Sequence, residues 1–129
     1  MTDSKRPLDG LRVIELGQLI AGPFCGQLLG DFGAEVIKVE APGLPDPARG
    51  WGAVKKDDIG LFWPIIGRNK KSLTLNLRVE AGQAILRELV KTADVLVENF
   101  RPGVLDRLGL TYENLSARNP GLIWASISG

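Results

Sequence analysis

Apolar positions along the chain fall into short runs that alternate between two spacings. LRVIELG at residues 11–17 is a compact apolar run closed by Gly10 and Gly17, which predicts a buried strand. LIAGPFCGQLLGDFG follows, with Phe24, Leu28, Leu29 and Phe32 at helical intervals. Pro23 fits the first turn of a helix and Gly33 its C-terminal cap, so a helix is predicted over 22–32. AEVIKVE at 34–40 is a second strand rich in β-branched residues, and strand, helix and strand in so few residues predict a right-handed parallel βαβ unit. The pattern then continues through an alternating strand, SLTLNL, at 72–77 and an amphipathic helix over 79–92. That helix carries Ile85, Leu86, Leu89 and Val90 on one face and Arg87, Glu88 and Lys91 on the other. A strand DVLVENF at 94–100 comes next, then a short helix opened by Pro102, another capped by Thr111, and a last strand LIWASIS at 122–128. This order predicts an α/β fold with a Rossmann-like, doubly wound, mainly parallel sheet of about five strands. Such sheets hold ligands beyond the carboxyl ends of their strands. The loops after Glu15, Glu40, Leu77 and Phe100 are therefore the candidate site.

One stretch breaks the alternation. Residues 41–58, APGLPDPARGWGAVKKDD, show neither period and read as a long loop. Loops beyond about 12–15 residues are uncommon in compact domains unless they serve a site or stay disordered, so this excursion is a functional candidate beside the plainer reading of a solvated turn. GLFWPIIGRNKKS then reads as a hydrophobic turn or short helix leading to a basic tip.

Composition narrows the chemistry. The 129 residues are 44% hydrophobic and 24% charged, ordinary for a soluble globular domain, and a net charge of +1 gives no broad field for nucleic acid or an anionic membrane. No run approaches the roughly 20 apolar residues of a membrane span, and the polar start MTDSKRPLDG lacks a signal-peptide core, so a cytoplasmic protein is expected. Histidine is absent and Cys25 is alone. Together these remove Ser-His and Cys-His catalysis, His-metal sites and intramolecular disulfides from what the chain can build by itself, and no metal site is expected.

Three motifs carry candidate chemistry, each with a plainer alternative. Gly22, Gly26, Gly30 and Gly33 follow a strand, but the G-x-G-x-x-G spacing of dinucleotide sites is missing, and close packing of a helix on the sheet explains them better. GRNKKS lacks phosphate-loop spacing, yet Arg68, Lys70 and Lys71 could neutralise a phosphate if they are not simply a solvated turn. ENF ends a strand at the ligand edge, where Asn99 offers a donor and an acceptor and Phe100 a flat ring for a base. Alternatively, Asn99 caps the following turn.

Five blocks taken together, from LDGLRVIELGQLIAGPFCGQLLGDFGAEVIKVE through RGWG, RNKKSLTLNL and ADVLVENFRPGVLDRLGL to NPGLIWASISG, resemble the start of the class III CoA-transferases. That family includes formyl-CoA:oxalate transferase, crotonobetainyl-CoA:carnitine transferase and α-methylacyl-CoA racemase. The resemblance implies an acyl-CoA:carboxylate CoA-transferase, with acyl-CoA and a carboxylic acid as substrates and an interlocked homodimer as the assembly. Coenzyme A is the implied cofactor, and residues 1–129 are the N-terminal part, an incomplete half, of a larger domain. By resemblance the CoA site draws on Gln18, Leu19, Ile20 and Ala21, on Ala41, on Leu75 and Arg78, on Asn99 and Phe100, and on Arg107 and Leu108. Some members carry His in place of Gln18 and Arg in place of Ala41, which leaves Arg78 and Arg107 as the better phosphate candidates. The family nucleophile is an aspartate beyond Gly129, so no catalytic residue is assigned within these residues, which are expected to be inactive alone. A racemase or isomerase on the same scaffold and a non-catalytic nucleotide-binding domain are the competing readings.

Overall fold

The computed structural model describes residues 5–128. Its frame is a parallel sheet of β1 (Arg12–Glu15), β2 (Glu35–Glu40), β5 (Lys70–Thr74), β6 (Val95–Glu98) and β7 (Ile123–Ser126), in the spatial order β5-β2-β1-β6-β7. The chain winds outward from β1 in one direction through β2 and β5, then returns to the other side of β1 for β6 and β7. This is the doubly wound order expected, with its switch point between β1 and β6.

Both faces of the sheet are covered, which is why its central strands read as nearly continuous apolar runs. Val13 and Ile14 of β1 point to opposite faces. Val13 joins Ala34, Val36 and Val97 in one core, beneath α1 (Ala21–Asp31). Ile14 joins Val39 and Leu96 in the other, packed with Leu86 and Val90 of α3 (Glu80–Val90), Leu105 of α4 (Val104–Arg107) and Leu115 of α5 (Tyr112–Ser116). Burial of a side chain the size of Leu contributes about 1.5–3 kcal/mol, so this second, larger cluster is the main source of stability.

The small face of α1 is the one that meets the sheet. Gly22, Gly26 and Gly30 recur every fourth residue and are buried, while Ile20, Phe24, Leu28 and Phe32, also at that interval, are about half exposed. A Cβ on Gly26 would lie 2.0 Å from Glu15 Oε2, so only glycine lets the helix sit this close. The glycines are thus packing residues. Gly33 closes the helix in the left-handed region (φ 115°), where a Cβ would be strained.

Two expectations shift. The third strand of the sheet spans Lys70–Thr74 rather than 72–77, because the lysines at its start are neutralised by partners on other strands. The excursion after β2 is not structureless. It holds a 3-10 turn at Pro47–Gly50, a hairpin of β3 (Lys55–Lys56) and β4 (Ile59–Gly60), and α2 (Trp63–Ile66).

Candidate functional site

A cleft of about 470 Å³ opens at the carboxyl ends of the strands, where a doubly wound sheet offers a ligand its crevice. Leu16 and Gln18 follow β1, Glu40 ends β2 with Ala41 just after it, Leu75 and Arg78 follow β5, Phe100 follows β6, and Val104 of α4 and Leu108 at its end complete the lining. The excursion supplies the outer wall through Pro42, Leu44, Pro45 and Pro47. Of the residues expected from sequence, Gln18, Ala41, Leu75, Arg78, Phe100 and Leu108 meet here. Leu19, Ile20 and Ala21 form the exposed turn into α1, next to the cleft. Arg107 is exposed on α4, beside Leu108 but outside the lining. Neither Arg78 nor Arg107 makes an ion pair among the described residues, leaving two guanidinium groups near the cleft without carboxylate partners.

Asn99 is engaged by the chain itself. Its Oδ1 accepts from the Gln18 backbone N–H at 2.7 Å and its Nδ2 donates to the Gln18 carbonyl at 3.0 Å, a two-point clamp on one residue's backbone. The amide oxygen retains an acceptor site and the NH2 a second donor. The clamp depends on close backbone approach, since a Cβ on Gly22 would fall 2.7 Å from Gly17 Cα and 2.9 Å from Asn99 Oδ1.

The turn conceals a buried ion cluster that sequence reading missed. Lys38 Nζ donates to Glu15 Oε1 at 3.0 Å and to the Gly17 carbonyl at 2.7 Å, and lies 2.9 Å from Asp46 Oδ2, which gives its three protons three oxygens. Asp46 in turn accepts the Leu19 N–H at 3.1 Å and the Ala48 N–H at 2.9 Å. Leu19 has a φ of 65°, a left-handed conformation that costs a residue bearing a Cβ roughly 1–2 kcal/mol, and it sits where Asp46 holds it. Arg49 makes a bidentate pair with Glu40 and lies over the Trp63 ring, 4.0 Å from its centroid. Lys70 donates to the Pro23 carbonyl and lies 2.8 Å from Glu15 Oε2. Within this cluster the three carboxylates Glu15, Glu40 and Asp46 are balanced by the three cations Lys38, Arg49 and Lys70. Burial pushes the Lys70 ammonium down against the pull of Glu15. Burial also pushes Glu40 up, but hydrogen bonds from Arg49 and the Asp46 amide outweigh it and hold its carboxyl below the ordinary range. The available signal was a charge inside a strand that is otherwise apolar on both faces, at Glu15, Lys38 and Glu40.

The basic tip does not serve the cleft. Arg68 pairs with Asp31 and Lys71 with Glu35, while Lys70 is buried against Glu15, so the phosphate reading of GRNKKS gives way to structural ion pairs. Two aspartates are similarly occupied: Asp94 accepts the Arg12 N–H and Asp46 the Leu19 N–H. Among the described residues, no group of side chains is arranged to hold a metal ion and no helix is long and apolar enough to cross a membrane.

The model of CoA-transferase family III matches residues 8–129. A succinyl-CoA–D-citramalate CoA-transferase of Chloroflexus aurantiacus is 57% identical over 124 residues, which are 96% of this chain and 31% of that protein. An acetyl-CoA:oxalate CoA-transferase of Acetobacter aceti is 50% identical over 97% of this chain and 32% of its own length. Among solved structures, a CAIB/BAIF family protein from Brucella suis superposes with a TM-score of 0.89 at 46% identity, covering 97% of this chain and 34% of that one. The chain thus spans about a third of the length of the curated relatives it matches.

Proposed function

From the premise that this chain belongs to CoA-transferase family III, we propose that it supplies the CoA-binding part of an acyl-CoA:carboxylate CoA-transferase. The observation that carries this reading is the cleft at the carboxyl ends of the strands, with Gln18, Ala41, Leu75, Arg78, Phe100 and Leu108 on one crevice and Arg107 beside it, the two guanidinium groups having no carboxylate partner among the described residues. Phe100 offers a ring face to the adenine, and Arg78 and Arg107 offer charge to the phosphates. Leu19, Ile20 and Ala21 present the turn into α1 to the CoA arm. Asn99 acts through the Gln18 backbone and keeps one donor and one acceptor for the nucleotide. The surrounding domain, completed by sequence beyond these residues, works as an interlocked homodimer in the cytoplasm.

In this reading the nucleophile is an aspartate contributed from beyond Gly129. Its carboxylate attacks the donor thioester carbonyl and expels CoA thiolate, giving a mixed anhydride. The thiolate then attacks the aspartyl carbonyl, releasing the donor acid and leaving an aspartyl-CoA thioester from which the acceptor acid takes CoA by the reverse sequence. The chain's own contribution is to hold the nucleotide, so that remote binding energy places the thioester for attack.

Calorimetric titration of CoA into the full-length protein tests the site. Charge-assisted contacts contribute about 1.5–3 kcal/mol each, so Arg78→Ala and Arg107→Ala should each weaken binding roughly ten- to hundredfold and flatten its salt dependence. Unchanged affinity in both variants overturns the phosphate assignment. Hydroxylamine should trap an aspartyl thioester in the full-length protein and none on residues 1–129 expressed alone; exchange of an α-proton without trapping would point to a racemase instead.

A further inference from the structure

Three consecutive residues leave β1 under separate control. The Gly17 carbonyl is held by Lys38, both backbone polar groups of Gln18 are held by Asn99, and the Leu19 N–H is held by Asp46. The holders come from β2, from the end of β6 and from the excursion. Two of them, Lys38 and Asp46, are 2.9 Å apart and buried. A left-handed leucine persists only when its surroundings over-determine it, and among the described residues the side chain bonded to its N–H is that of Asp46. Facing this pair are Glu15 on β1, Glu40 on β2, Arg49 on the 3-10 turn and Lys70 on β5. The Trp63 ring covers both Lys38 and Arg49.

We propose that Asp46 is a positioning residue for CoA: its buried carboxylate, neutralised by Lys38, ties the excursion to the turn after β1, sets Leu19 in its left-handed conformation and so fixes the direction in which residues 18–21 meet the ligand. The inference rests on the assignment of that turn to CoA made above. It gives the excursion a role beyond walling the cleft, since the segment that closes one side also sets the backbone on the other.

The chemistry of the pair supplies its test. In Asp46→Asn the side chain no longer accepts on both sides: Oδ1 takes the Leu19 and Ala48 N–H groups, and Oδ2 takes Lys38 Nζ and a share of the Leu19 N–H, so whichever oxygen position becomes NH2 meets donors. The cluster also gains a net positive charge. Lys38→Met combined with Asp46→Asn restores the balance, with Glu15 and Glu40 against Lys70 and Arg49, and lets the new amide oxygen at position 46 face Leu19 while its NH2 meets an apolar chain.

The experiment uses full-length protein, with CoA affinity read by calorimetry, exchange of a peptide covering residues 17–22 read by hydrogen-exchange mass spectrometry, and melting temperature as the control for global folding. Asp46→Asn should lose protection at one amide in that peptide and at least about tenfold in CoA affinity, and the double variant should recover most of both. Protection unchanged in Asp46→Asn, or a double variant no better than the single, overturns the proposal. If wild-type protein binds no CoA, the functional assignment of the cleft fails, whereas the exchange arm still decides whether Asp46 sets the turn.

Discussion

At the scale of single residues, the site is governed by contacts too close to tolerate an added methyl group. Gly22→Ala places a Cβ 2.9 Å from Asn99 Oδ1 and 2.7 Å from Gly17 Cα, one fixed by its hydrogen bond to Gln18 and the other part of the backbone turn. Overpacking of this kind costs about 1–3 kcal/mol, so the variant should melt lower and bind CoA weakly, which differential scanning fluorimetry and calorimetry would show together. Glu40 makes a second residue-scale prediction. Its folded carboxyl is held below the ordinary value, so its stabilising contribution is fully present above the unfolded pKa and lost as pH falls through the lowered one. Urea midpoints measured between about pH 5 and pH 3 should therefore fall less steeply in Glu40→Gln than in wild type. Residue identity was only partly legible. Asn99 stood out as a strand-ending amide, but the turn it holds is the one after β1, 81 residues earlier, rather than the one that follows it, and the cluster of Lys38 and Asp46 likewise joins positions whose proximity no local spacing reveals.

Among the elements, β1, β2 and β6 were legible because strands buried on both faces leave unbroken apolar runs. The start of β5 was not, since Lys70 and Lys71 look like a turn until Glu15 and Glu35 on neighbouring strands are seen to neutralise them. For α1 the spacing of large apolar residues gave the helix and the glycines gave the face that packs on the sheet, while the reason no Cβ fits at Gly26, the proximity of Glu15, shows only in the fold. The β3–β4 hairpin hid inside a charged segment. Its two turn residues, Asp57 and Asp58, both sit at positive φ (51° and 63°), the pairing a two-residue hairpin of this twist requires and one that Asn-Gly meets more easily. In Asp58→Gly the relief of left-handed strain, about 1–2 kcal/mol, exceeds the added entropy of the unfolded chain, about 0.5–1 kcal/mol. The variant should accordingly show a slightly higher urea midpoint and leave CoA affinity unchanged, because neither aspartate lines the cleft.

For the molecule as a whole, the doubly wound order and the location of its crevice followed from the alternation of elements, while the outer wall at residues 42–47 depended on how the excursion folds back. Residues 1–129 expressed alone should associate, since among the described residues β7 pairs with β6 alone and Ile20, Phe24, Leu28 and Phe32 form an exposed stripe on α1. Sedimentation velocity at several concentrations checks this, and a single slow species at all of them would contradict it. The clamp of Asn99 on Gln18 also has a consequence in time. Its partners are 81 residues apart, whereas Lys38 and Glu15 are separated by 23, so on a ribosome the ion cluster can assemble well before the clamp. At about 5–20 residues per second, roughly 4–16 s of elongation separate synthesis of the turn from synthesis of the side chain that brackets it. In that interval a nascent chain already holds the residues of β1, α1, β2 and their ion pair, while the Gln18 backbone waits for a strand not yet made.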